Sequence, residues 1–554
     1  GAITFAGPVD FSEASGGTVT VQTAGAIDAH DITFTGTIAD TGSNTDLILN
    51  SRDGTAGGGG QGDVSVAGAI GGTGTEIGSF DLSGGQDAAL ASVHTVGGLT
   101  VSSAALSMTG TSYTAVGTVG TEQISIESAV SLDAGGSTIL VTTTNGADNN
   151  DIAFTGTIDD PGSADTLRVS ADSGGTTAAD VSMTGALGAT DPLGSFVIDP
   201  AHEVELPNVA TVGDLSVSAG GPITLNGTSY TTSDAAGAVS FTGPVTLAAT
   251  PMTIASTGGG GVAFATTAST VGGATALTVN AGSGAIDFDA AVGSGTALAG
   301  LDATSAGFTA DSTINATGAI EITTDAIEIG DAVSSSASIT LHARTASTAM
   351  RIGNQLGSGY ELSDAEVARL AAPSLVVGEA TVQTGAISLE SVDFAAGVGT
   401  VTISADGAGG TVSMAGNIDD PIDLTVTAAA GVSITDTGAS YYRTSGTQTY
   451  TGDLTIANDV TFAAADFVFS DPAGDAINAG GILEFTSYDG STSMDIGTAA
   501  STAFHLSDAE LAAIATAAQI NFGASSNPLP TPAYNQAQPV TIQTVDLSAV
   551  NTTG

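Results

Sequence analysis

Short runs in which apolar and polar residues alternate fill the chain, as in Ile124-Ser125-Ile126, Leu215-Ser216-Val217-Ser218 and Val401-Thr402-Ile403-Ser404. A period of two turns Val, Ile, Leu and Phe to one side and Ser and Thr to the other, so each run predicts a strand with one buried and one wet face. The runs are bounded by Gly, Asn or Asp and are too short to stand without strands above and below. Hairpin signals of the Asn-Gly or Asp-Gly type are few beside repeated Ala-Gly-Gly and Ser-Gly-Gly corners, which favours stacked coils over an antiparallel meander.

The strand pattern recurs in register. Gly1-Ala2-Ile3-Thr4-Phe5-Ala6-Gly7-Pro8-Val9 returns as Gly237-Ala238-Val239-Ser240-Phe241-Thr242-Gly243-Pro244-Val245, an offset of 236, or twice 118. A unit of that size lies between them: Asp31-Ile32-Thr33-Phe34-Thr35-Gly36-Thr37-Ile38 matches Asp151-Ile152-Ala153-Phe154-Thr155-Gly156-Thr157-Ile158, and Gly110-Thr111-Ser112-Tyr113 matches Gly227-Thr228-Ser229-Tyr230. A second pair stands 144 residues apart: Met350-Arg351-Ile352-Gly353 with Leu362-Ser363-Asp364-Ala365-Glu366, and Met494-Asp495-Ile496-Gly497 with Leu506-Ser507-Asp508-Ala509-Glu510.

The two Leu-Ser-Asp-Ala-Glu segments break the alternation and predict short helices. Ser363 and Ser507 are N-caps with Glu366 and Glu510 at the capping-box position, and Leu362/Val367 and Leu506/Leu511 form hydrophobic staples. The chain therefore divides into repeat units at 1–118 and 119–236, a continuation over 237–349, a helix-marked unit at 350–493, and a second one with a C-terminal tail over 494–554. The predicted class is an all-β parallel solenoid with two short helical insertions; an array of β-sandwich domains is the alternative. With about 20 residues per coil, a 118-residue unit holds roughly six coils.

Composition changes this picture little but excludes several functions. Among 554 residues there are 77 glycines, no cysteine and six basic side chains, all arginine, against 57 acids, for a net charge of −51. Such a charge repels phosphate backbones and anionic lipid, which argues against nucleic-acid and membrane-surface partners. Without cysteine there are neither disulfides nor thiolate metal sites. No run of about 18 apolar residues marks a transmembrane helix. The 42% hydrophobic content still supplies a core, so the bias is not one of disorder.

The Leu-Ser-Asp-Ala-Glu helix leads through Ala368-Arg369-Leu370 and Leu375-Val376-Val377-Gly378 to Gly385-Ala386-Ile387-Ser388-Leu389. This passage resembles the internal repeats of filamentous-haemagglutinin-like large exoproteins, as does Thr444-Ser445-Gly446-Thr447-Gln448-Thr449-Tyr450-Thr451-Gly452-Asp453-Leu454-Thr455-Ile456. The resemblance implies a right-handed parallel β-helix, export through a dedicated outer-membrane pore, and a role in adhesion, matrix or cell contact. The family's Asn-Pro-Asn secretion motif is missing, and Asn527-Pro528 stands alone near the other end; the chain is then expected to be an internal or processed part.

Acidic turns are the candidate ligand sites. Asp28 and Asp31 recur as Asp148 and Asp151, and Asp40 recurs as Asp160 with Asp159 beside it; Asp419 and Asp420 follow a similar Gly-x-Ile. Carboxylates three residues apart in a turn offer a hard cation several oxygen ligands, which makes calcium the candidate cofactor; the competing reading is an aspartate that bonds local N–H groups and fixes the corner. Gly59-Gly60-Gln61-Gly62-Asp63 is similar to a calcium-binding β-roll repeat, but it places Asp63 one residue early and occurs once, which favours a glycine-rich corner. Tyr113, Tyr230, Tyr441 and Tyr442 offer either a sugar- or protein-binding face or packing at repeat junctions. His202 and His94 have no counterpart in the other repeat and read as ordinary surface or turn histidines.

The acids are duplicated at homologous turns, whereas an active site should be unique, and no lysine is present to stabilise an enolate. No catalytic residues are assigned. The expected function is a non-catalytic structural scaffold, extracellular or at the bacterial cell surface: an adhesin segment with a glycan or protein receptor, or a fibre subunit that self-associates. The strand-like run Pro539–Leu547 and the strand at the first residues lack charged caps and motivate head-to-tail stacking into fibres. A polysaccharide lyase or hydrolase is the alternative.

Overall fold

The computed structural model describes residues 1–11, 16–23, 30–42, 44–51, 62–116, 123–144, 150–162, 164–172, 179–265, 270–353, 359–420, 422–436, 438, 440–470, 474–488, 493–497, 504–523 and 540–542. Two compact units divide the chain, Gly1–Thr296 and Ala297–Gly554. Both are built from short strands whose ladders, among the described residues, are parallel. An array of β-sandwiches would need antiparallel ladders, so that alternative is not what forms.

In the first unit consecutive strands visit three sheets in turn. Leu215–Ala219, Ile223–Leu225 and Ser229–Thr232 occupy one sheet each; Val239–Thr242 then pairs in parallel with the first, Val245–Leu247 with the second and Met252–Ser256 with the third. The second unit begins the same way: Ile320–Thr324, Ile327–Ile329 and Val333–Ser335 each pair with the strand three places earlier. Alternation places like on like between coils. Val239, Val262 and Ile286 stack, and so do Phe241, Phe264 and Phe288, with ring centroids 5.6 and 5.2 Å apart.

The helices form where the capping boxes predict them: α1 (Asp364–Val367) and α2 (Asp508–Ala513), with both reciprocal bonds present in each. Leu362, Val367, Leu506 and Leu511 are all buried, as staples require. Each capping glutamate does more than close its box. The second oxygen of Glu366 accepts the main-chain N–H of Ile329 at 3.0 Å, and that of Glu510 accepts Phe469 N–H at 3.2 Å, so each helix is pinned to a strand some 40 residues earlier.

Each helix also follows a strand laid down out of chain order. Met350–Gly353 lies between Tyr360–Leu362 and Ile387–Glu390, so the later strand Tyr360–Leu362 sits on the far side of the earlier one. Met494–Ile496 lies in the same way between Phe504–Leu506 and Val540–Ile542.

The repeat tyrosines are core residues. Tyr113 and Tyr230 are 1% and 0% exposed; their hydroxyls donate to Leu90 O (2.7 Å) and Leu206 O (2.9 Å) and accept from Gly110 N–H and Gly227 N–H. Tyr442 is buried as well, so of the four candidates only Tyr441 retains partial exposure, and the sugar-binding face is replaced by packing at repeat junctions. Tyr360 makes an instructive contrast, because its buried hydroxyl has no partner among the described residues and the second helix-marked unit has Phe504 at that place. Tyr113→Phe and Tyr230→Phe should each lower stability by about 1 kcal/mol, whereas Tyr360→Phe should leave it unchanged or raise it by about 1 kcal/mol. Urea midpoints of the three variants check the opposite signs.

Candidate functional site

Many acids stand at the corners just before the strands, and there the structure gives several of them a shared task. A parallel ladder leaves main-chain N–H groups unpaired at its ends, and a short carboxylate one coil away can accept them. Asp31 Oδ1 accepts Asp63 N–H at 3.1 Å, and Asp63 Oδ1 accepts Asp87 N–H at 3.3 Å. In the next repeat Asp151 Oδ1 accepts Asp180 N–H and Asp180 Oδ1 accepts Glu203 N–H, both at 3.0 Å. Asp214, Asp453 and Asp459 do the same for Ala238, Ala476 and Ile482 at 2.8–3.0 Å. These carboxylates extend the ladder by one rung.

Asp40 and Asp160 are different, being 4% and 3% exposed. Asp40 accepts Gly42 N–H at 2.9 Å and also Thr45 N–H; Asp160 accepts Asp165 N–H, the donor five residues on in both cases. They close their own loops. Asp159 instead faces the next coil and accepts Thr190 N–H at 2.9 Å. Asp28 and Asp148 lie outside the described residues, so the pairs Asp28/Asp31 and Asp148/Asp151 are seen only through one member each. Among the described residues no group of three His, Cys, Asp or Glu side chains is arranged to hold a metal ion.

Asp165, which the sequence patterns did not single out, is among the most heavily used acids of the described residues. It is fully buried and accepts Ala134, Gly136 and Ser137 N–H groups at 2.7–2.8 Å, one coil away. Its sequence signal was faint because the first repeat has Thr45 at that place. Asp325 is held below the usual carboxylate range: burial pushes it up, but the N–H and hydroxyl of Thr345, the Thr348 hydroxyl and the Arg344 guanidinium together outweigh burial.

A surface groove of the first unit runs beside the second acid ladder. It has a volume of about 360 Å³ and is lined by Ser125, Asp151, Asp180, Ser182, Glu203 and Glu205, with His202 Nδ1 3.2 Å from Asp180 Oδ1. In the second unit the outer face of one sheet carries Asp302 against Glu321, and His342 Nε2 lies 3.3 Å from Glu321. Burial, and then the charge of Glu321, push the Asp302 carboxyl up.

The duplicated motifs do not share a face. Ile3–Phe5, Ile124–Ile126 and Val239–Thr242 open the three copies, yet they lie in three different sheets. A 118-residue unit therefore does not hold a whole number of three-strand coils, and each copy starts on another sheet. The ladder of Asp31 and Asp63 and that of Asp151 and Asp180 consequently point in different directions and build no continuous acidic strip.

No protein-family model, curated protein or solved structure matches the chain.

Proposed function

We propose that the chain is a non-catalytic extracellular scaffold, a closed right-handed parallel β-helix that acts at a bacterial cell surface as an adhesin segment or as the subunit of a matrix fibre. The observation that carries this reading is the employment of the duplicated acids: each described member of the two ladders accepts a main-chain N–H from the adjoining coil. Carboxylates used in this way hold coils together, and their recurrence on different sheets fits a spacer whose repeats add length. Calcium enters only as a ligand of corners that include Asp28 or Asp148, and a melting temperature unmoved by a chelator would leave it out.

A second reading, a polysaccharide-acting enzyme, draws on the groove lined by Asp151, Asp180, Glu203 and Glu205. One experiment separates the two. The purified chain is incubated with a panel of uronic-acid and neutral polysaccharides, and reducing ends and unsaturated products are measured, with negative-stain images taken of the same sample. The scaffold reading expects no product and rod-like or fibrous particles. Product formed by the wild type and lost in Asp180→Asn would overturn it.

A further inference from the structure

The third sheet of the second unit is interrupted. Leu370–Ala371 ends one sheet and Ile418–Asp420 opens another, and the segment 391–399 between them has no strand. That segment still contributes to the core, since Val392, Phe394 and Val398 are 3%, 4% and 4% exposed. Its middle lacks ladder bonds and is tied down by carboxylates instead. Asp364, in the first turn of α1, accepts Asp393 N–H at 2.8 Å, and Asp420 Oδ2 accepts Phe394 N–H at 3.4 Å.

Asp420 stands where Asp40 and Asp160 stand in their Gly-x-Ile-x-Asp turns, and like them it points inward, 3% exposed. The turns diverge in the residues after the aspartate. Asp40 and Asp160 accept the N–H five residues on, whereas Thr425, five residues after Asp420, already lies inside the strand Asp423–Ala428. Asp420 turns to the coil beneath, where its carboxyl accepts the Phe394 N–H and adjoins the side chain of Asp393. Two carboxyl groups can bond one another only through a proton held between them.

We propose that Asp393 and Asp420 form a proton-shared carboxyl clamp that fastens the strandless segment 391–399 to the following coil, and that loss of the proton loosens this segment. The charged groups around the clamp give no compensation. Asp419 adjoins Asp420 and engages Arg443 at 3.4 Å, and Asp364 faces the backbone of Asp393. Deprotonation thus leaves two adjoining carboxylates with further acids on both sides.

Burial, opposed by the Phe394 N–H and reinforced by the charges of Asp393 and Asp419, pushes the Asp420 carboxyl up to about 7. The folded chain then holds a proton that the unfolded chain has given up, so this contribution to stability falls as pH rises from the ordinary aspartate value of about 3.9 through about 7, and is level beyond.

Amide hydrogen exchange of the full chain, read by mass spectrometry over 391–399 and corrected for intrinsic pH dependence, tests this at about pH 5 and about pH 8.5, on the two sides of the transition. The wild type should lose protection by about tenfold at the higher pH. Asp420→Asn, which can bond Asp393 without a shared proton, should show the same protection at both. Asp393→Asn provides the independent variant should the first fail to fold. Equal protection of the wild type at both pH values, or a wild-type profile reproduced by either variant, would overturn the clamp.

Discussion

Phe462→Ala is expected to be among the most damaging core substitutions, lowering stability by about 4 kcal/mol. The ring is 1% exposed and touches four aromatic neighbours: Tyr442, Tyr450, Phe467 and Phe485 lie 6.0, 5.6, 5.1 and 5.7 Å away, centroid to centroid. Those neighbours come from strands in two sheets, so no single strand can shift to fill the space left behind. A buried aromatic also contributes about 0.5–1.5 kcal/mol per favourable ring pair beyond its area. Calorimetry on the full chain, with Phe462→Leu as the volume-retaining control, checks it. A loss under about 1 kcal/mol for alanine would show that the cluster is not packed as described.

The second large effect comes from a residue with no side chain. Gly156→Val should cost at least about 3 kcal/mol, through overpacking against backbone that cannot give way. A Cβ on Gly156 would run into the carbonyl of Ser128 in the coil below, and Gly185 in turn stacks on the carbonyl of Gly156. The first repeat builds the same corner, with Gly36 against Gly7 and Gly68 against Gly36. Its backbone angle is ordinary, so the requirement is one of space and not of conformation. Gly17, with nothing within 4 Å of a Cβ, is the control, and Gly17→Ala should stay within about 0.5 kcal/mol of the wild type. Equal urea midpoints for the two variants would refute the glycine column.

These two sites differ in how far the sequence announces them. Gly156 lies in the repeated Phe-Thr-Gly-Thr-Ile string, so its importance was readable, but the reason, a carbonyl 28 residues earlier, was not. Phe462 occupies an inward position of an alternating run and was readable only as core. The aspartates show the same division. Their recurrence at corners pointed to either a cation or a hydrogen-bonded turn; Asp40 and Asp160 close local turns, while Asp31, Asp151 and Asp159 serve the adjoining coil. Asp165 carried no local signal because its donors come from a segment about 30 residues away.

By itself the sequence determined what depends on near neighbours: the strands through their period of two, the duplications, and both capping boxes, whose partners stand three residues apart. Only the tertiary structure decided which strand lies on which, that Tyr360–Leu362 stacks out of chain order, that the copies open on different sheets, and that Asp420 faces Asp393. The physical reason is the coil itself. Stacked strands join residues from 10 apart, as Met350 and Tyr360, to 46 apart, as Met494 and Val540, and that separation varies with the length of every corner crossed. A fixed local period reveals which way a side chain points, but its partner one coil away depends on the summed lengths of the intervening loops.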